Sequence, residues 1–125
     1  MGNFQLKQHF DVAKSTGTLD LSSKKLDKFP EQLETLAPIL RSLNLGNNKF
    51  LLLPIEIGKL TLLKHLDLGG NRLTQLPDAI GSLVHLKRLN LSSNLISSLP
   101  FSMSQFKHLE QVSHLAPVAP FTFYH

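Results

Sequence analysis

Leu40-Arg41-Ser42-Leu43-Asn44-Leu45-Gly46-Asn47-Asn48-Lys49-Phe50, continued by Leu53-Pro54, Ile57 and Leu60, is the stretch that decides the fold. Its pattern returns 23 residues on as Leu63, Leu66, Leu68, Asn71, Leu73, Leu76-Pro77, Ile80 and Leu83. After another 23 residues it returns as Leu86, Leu89, Leu91, Asn94, Ile96, Leu99-Pro100, Met103 and Phe106. Three full copies therefore occupy residues 40–106, and a fixed period of this size is the mark of a stacked repeat architecture. Within a copy, Leu43-Asn44-Leu45 alternates with period two, so both leucines point inward and Asn44 points out. Asn48, Asn71 and Asn94 recur where the chain leaves the strand, and form a structural asparagine column. A buried amide there both donates to and accepts from backbone groups of adjacent coils that no sheet satisfies. Asn47, one residue before the column, reads as free of such a role, so alanine there should be neutral. Leu-Pro fixes an extended turn, because proline locks φ and biases its predecessor away from helix. Ile57, Ile80 and Met103, with Leu60, Leu83 and Phe106, close the convex side.

Working outward, a degenerate copy covers 16–36 as Leu19, Leu21, Leu26, Phe29-Pro30, Leu33 and Leu36. Lys24 stands where asparagine is expected, and Thr16 where the first leucine is. Pro30 to Pro54 is a step of 24, so one residue is inserted near Ala37-Pro38. A last partial copy covers 109–112 with Leu109 and Val112, then fails at His114 and Pro117. Residues 1–15 read as a capping helix over the first coil. Leu6, Phe10 and Ala13 share one face, Asn3 is placed to cap its start, and Gly17 to end it. Residues 113–125 read as an irregular tail, in which Pro117 and Pro120 prevent a helix. Phe121, Phe123 and Tyr124 are placed to fold back over the open end.

These motifs resemble the leucine-rich repeat family, in the 23-residue intracellular subclass whose turn reads Leu-Pro. The resemblance covers residues 16 to about 112. It implies an α/β repeat solenoid of about four coils, with parallel strands on the concave side, an N-terminal capping helix and no proper C-terminal cap. The family usually has more repeats, so the chain reads as a shortened product. Met1-Gly2-Asn3, a short helix, Thr16-Gly17 and then repeats resembles members expected to carry a myristoyl group on Gly2. Gly2 is the acceptor of the Met-Gly-x-x-x-Ser/Thr motif, although Leu6 stands where Ser or Thr belongs. One myristate gives marginal binding unless a second signal helps. Lys7, Lys14, Lys24, Lys25 and Lys28 are the candidates for that signal.

Leucine fills 27 of 125 positions, and there is no cysteine. That removes disulfides, thiolate zinc sites and cysteine nucleophiles. It also points to a cytoplasmic setting, since small secreted modules usually need disulfides. The net charge of +4 comes from interspersed signs, which argues against nucleic acid as a partner. No stretch approaches the ~18–20 apolar residues of a membrane span, and the first 15 residues carry no signal-peptide core. The six histidines form no i, i+4 pair, and His85 and His108 are simply equivalent repeat positions. There is no Gly-x-Ser-x-Gly elbow and no phosphate loop. The expectation is a non-enzymatic chain with no cofactor and no metal.

What remains is the outward face of the strands. One row reads Thr18, Ser42, His65, Arg88 and Gln111. The next reads Asp20, Asn44, Asp67 and Asn90, and a third Ser22, Gly46, Gly69 and Ser92. A flanking basic row is Arg41, Lys64 and Lys87, ended by Glu110. Stacked repeats turn each row into a column on the concave face. The residues assigned to binding are Asp20, Arg41, Ser42, Asn44, Lys64, His65, Asp67, Lys87, Arg88 and Asn90. Arg41 and Arg88 are the favoured anchors, since interface hot spots favour arginine. The expected role is a protein-interaction module for a protein or peptide. The alternatives are a peripheral membrane adaptor anchored through myristoyl-Gly2, or a truncated product with no function of its own.

Overall fold

The computed structural model describes residues 3–113, with side chains from residue 6. Met1, Gly2 and residues 114–125 lie outside the described residues, as does the side chain of Asn3. Helix α1 (Asn3–Thr16) leads into five three-residue strands: β1 (Thr18–Asp20), β2 (Ser42–Asn44), β3 (His65–Asp67), β4 (Arg88–Asn90) and β5 (Gln111–Ser113). They form one parallel sheet in chain order, β1-β2-β3-β4-β5. The register equals the repeat period: Leu19 pairs with Leu43, Leu43 with Leu66, Leu66 with Leu89, and Leu89 with Val112. The architecture is an α/β leucine-rich repeat solenoid. Strand β5 includes Ser113, one residue beyond the last partial copy read from the sequence. Thr16, taken there as the start of the first copy, closes α1 instead.

The core is a set of columns. Leu21, Leu45, Leu68 and Leu91 are fully buried, as are Leu40, Leu63 and Leu86. Phe10 and Ala13 of α1 are buried against the first coil, and Leu6 packs partly against it. Gly17 ends the helix with φ +74° while its N–H donates to the Ala13 carbonyl at 2.8 Å. This is the left-handed C-terminal cap that glycine adopts without a Cβ penalty.

Each Leu-Pro feeds a 3-10 segment on the convex side: Glu31–Leu36, Ile55–Lys59, Asp78–Ser82 and Phe101–Gln105. Pro30, Pro54, Pro77 and Pro100 hold φ between −64° and −76° with extended ψ. Their carbonyls accept the first i→i+3 bond, for example from Ile80 N–H at 3.0 Å. The extra residue of the first coil lies just after its 3-10 segment, in the turn at 37–39: Leu36 and Leu40 are four residues apart where Leu60 and Leu63 are three.

Two contacts on this side were not visible in the sequence. A Cβ on Gly81 would stand 2.5 Å from Ser102 Cβ and 2.7 Å from the Ser102 carbonyl oxygen. One on Gly58 would stand 2.9 Å from the Ala79 carbonyl oxygen. Neighbouring coils approach too closely here for any side chain. Gly81→Ala is therefore expected to cost about 1–3 kcal/mol by overpacking. Ser104→Ala, at the same repeat position but exposed, should stay within about 0.5 kcal/mol of the parent. Paired urea melts measure the difference.

Candidate functional site: the concave face

The concave sheet places the outward rows in register. Ser42 pairs with His65, His65 with Arg88, and Arg88 with Gln111. Beside them Asn44 pairs with Asp67, Asp67 with Asn90, and Asn90 with Ser113. Together they line a shallow open depression of about 370 Å³. Six of the sequence-assigned residues line it: Ser42, Asn44, His65, Asp67, Arg88 and Asn90. Asp20, Arg41, Lys64 and Lys87 do not. Gln111 and Ser113 line it as well, the latter because β5 runs one residue further than the partial repeat suggests.

The Asp20, Asn44, Asp67 and Asn90 column has a second duty that the sequence reading missed. Asn44 Oδ1 accepts the Gly46 N–H at 2.8 Å, and Asp67 Oδ1 accepts the Gly69 N–H at 2.9 Å. Asp20 and Asn90 do the same for Ser22 and Ser92, both at 3.0 Å. Each residue caps its own strand exit through an Asx turn, a bond that Asp and Asn make readily to a backbone N–H two residues on. Where the turn residue is serine, its hydroxyl adds a bond to the same oxygen, at 2.6 Å to Asp20 and 2.7 Å to Asn90. The Ser22 hydroxyl, followed by the Ser22 N–H, holds the Asp20 carboxyl below the usual carboxylate range. Between coils, Asn90 Nδ2 donates to Asp67 Oδ1 at 3.1 Å. A Cβ at Gly69 would meet Asn90 Nδ2 at 2.9 Å, so that glycine gives the cross-coil bond its room. The signal was present in the sequence as Asx-Leu-Gly/Ser, repeated four times.

The basic row is held by the backbone. Lys64 N–H donates to the Arg41 carbonyl at 2.7 Å, and Lys87 N–H to that of Lys64 at 2.8 Å. The row thus continues the ladder at strand spacing, about 4.8 Å. The ion pairs among the described residues are Lys7 and Lys14 with Asp11, and Lys59 with Glu34. Arg41, Lys64, Lys87 and Arg88 take part in none of them. The face therefore has a cationic margin, a middle of amides and carboxylates, and a border of glycine and serine. Among the described residues no group of three or more His, Asp or Glu is arranged to hold a metal. Nor, among the described residues, is any helix long and apolar enough to cross a membrane.

The asparagine column lies on the margin where each strand ends. Asn71 is 6% exposed; its Nδ2 donates to Leu45 O at 3.0 Å and Leu68 O at 2.9 Å, while its Oδ1 accepts the Phe50 N–H at 3.1 Å. Asn48 and Asn94 repeat the arrangement, and Asn48 Oδ1 also accepts from Lys24, where the first coil lacks its own asparagine. Asn47 is not the free neighbour the sequence suggested. Its φ is +55°, and Ser23, Gly70 and Ser93 at the same repeat position are also left-handed. Alanine there would carry a backbone penalty that asparagine and glycine largely avoid.

A family model described as a leucine-rich repeat region matches residues 18–120. Among solved structures, a leucine-rich repeat protein of Leptospira interrogans is 31% identical, with a TM-score of 0.67 over 85% of this chain and 34% of that one. A chain of the BIR3–SERK2 complex from Arabidopsis thaliana is 33% identical, with a TM-score of 0.66 over 77% of this chain and 55% of that one. The chain thus spans about a third of the first and about half of the second.

Proposed function

Because the chain belongs to the leucine-rich repeat family, we propose that it is a non-catalytic interaction module that takes a protein or peptide on its concave sheet. The observation that carries the reading is the in-register stack of Ser42, His65, Arg88 and Gln111 over a shallow depression, beside a cationic margin that enters none of the ion pairs among the described residues. A row of like charges on neighbouring coils is mutually repulsive. An acidic partner surface relieves that repulsion and gains orientation from it. The Arabidopsis relative was solved as a protein complex, which fits a family that works through protein partners. The reading includes no nucleic acid and a cytoplasmic setting.

The test uses the immobilised full chain. A protein captured from cell extract should lose about 2 kcal/mol of affinity, roughly 30-fold, on Arg88→Glu. Ser82→Glu, on the exposed convex side, should leave it unchanged. Equal loss from both variants would place binding elsewhere.

The finer placement, in the 23-residue Leu-Pro subclass and most like leucine-rich repeat-containing protein 57, rests on the repeat spacing and on Met1-Gly2-Asn3 leading into α1. It supplies the second reading, a peripheral membrane adaptor carrying myristate on Gly2. Lys7 and Lys14 of the proposed basic signal are both engaged by Asp11, at 3.0 and 3.6 Å, which weakens that signal. The mass of the N-terminal peptide decides between an anchored and an unanchored module.

A further inference from the structure

The four coils are internal replicates, so a solvent-facing side chain that differs in one of them is not demanded by the fold. The second coil departs from the other three at two such positions, Leu51 and Leu52, both 61% exposed. There the first coil has Asp27 and Lys28, the third Thr74 and Gln75, and the fourth Ser97 and Ser98. Ile55, 71% exposed, adjoins them, at a position where the fourth coil has an exposed Phe101. All three leave the neighbouring core unchanged, because Phe50, Leu53 and Ile57 fill the inward positions.

The loops of the first and second coils enclose an open groove of about 700 Å³. Phe29, Leu52, Leu53 and Pro54 give it apolar lining. Asp27, Glu31, Glu34 and Glu56 give it four carboxylates against one cation, Lys28. Glu34 pairs with Lys59 at 3.3 Å, whereas Asp27, Glu31 and Glu56 enter none of the ion pairs described. This acidic groove sits on a chain of net charge +4, and none of its residues belongs to the concave face.

We propose that this groove is a second docking surface, for a segment of a partner protein that presents a leucine-like side chain flanked by lysine or arginine. The adjoining exposed aliphatics supply contact area, as clustered rather than scattered apolar surface does. The carboxylates set the sign of the partner and reject acidic competitors. They also disfavour a lipid surface, since the cytoplasmic leaflet is anionic and would repel them. The inference is independent of the concave-face reading.

The experiment is an amide-shift titration of the full chain with a synthetic peptide of alternating leucine and lysine pairs. A matched peptide with glutamate for lysine is the control. The expected shifts fall on residues 27–34 and 51–56. The double variant Glu31→Lys, Glu56→Lys should weaken the lysine peptide roughly tenfold, and salt should weaken the parent complex likewise. Leu52→Ser should weaken it about fivefold or more with the melting temperature unchanged, since the side chain is exposed. Arg88→Glu should leave it unaffected, which separates this surface from the concave one. The proposal is overturned by equal binding of the glutamate peptide, by shifts confined to His65 and Arg88, by indifference to the charge reversals, or by no binding at millimolar peptide. It is also overturned if Leu52→Ser dissolves a dimer, because the occupant would then be a second copy.

Discussion

Replacing Leu68 by alanine is expected to lower the unfolding free energy by about 2–5 kcal/mol, toward the upper end of that range. Leu68 is fully buried in the column Leu21, Leu45, Leu68 and Leu91, with a coil on either side. Neither side can collapse into the vacated space without breaking the strand register of β3 with β2 and β4. A domain has only about 5–15 kcal/mol in total, so this single change threatens the fold. Equilibrium denaturation of the parent and variant measures it. A variant that melts with the parent would mean that the register from Leu66 to Leu68 is misassigned.

The second large effect is expected at Asn71. Alanine there orphans the Phe50 N–H in a site closed to water. It also removes one of two donors from Leu45 O and from Leu68 O, which keep Asn48 and Asn94 as partners. One unsatisfied buried group gives an expected loss of about 1–3 kcal/mol. The proper control is Asn47→Gly, because glycine tolerates the φ of +55° that alanine does not. That control should change stability by less than about 1 kcal/mol. Equal losses at the two positions would remove the distinction between a buried bonding amide and an exposed turn residue.

These two sites also show where the sequence was readable. Leucine spacing set the register of every inward position, since burial depends on period alone and the period repeats without error from Leu40 to Phe106. The asparagine column was readable for the same reason: a polar residue recurring among leucines must be bonded. Asn47 was not readable, because a left-handed φ leaves no mark when Ser23, Gly70 and Ser93 all satisfy it with different side chains. Gly81 was missed for a related reason. Its constraint comes from Ser102 of the next coil, 21 residues away, and no local pattern records an approach between coils. On the concave face the columns were readable as positions. Their use as Asx caps was overlooked because Asp20, Asn44, Asp67 and Asn90 were read for what they present to solvent. The Asx-Leu-Gly/Ser spacing held the other half of their role.

The bonds of the asparagine column have a direction. Asn48 serves Leu21, Lys24 and Leu26; Asn71 serves Leu45 and Phe50; Asn94 serves Leu68 and Leu73. In each case the amide reaches 21 to 27 residues backward along the chain. A coil emerging from the ribosome therefore lacks its own closing group, which arrives only when most of the following coil has been synthesised. At ~5–20 residues per second this is a delay of roughly one to five seconds per coil. During that interval the newest turn has backbone donors and acceptors without protein partners, and the growing end is always one repeat behind its own completion. Helix α1 needs no such wait, because its cap at Gly17 is the next residue made. The nascent solenoid thus ratchets forward from the coil that α1 covers, each asparagine locking the coil before it.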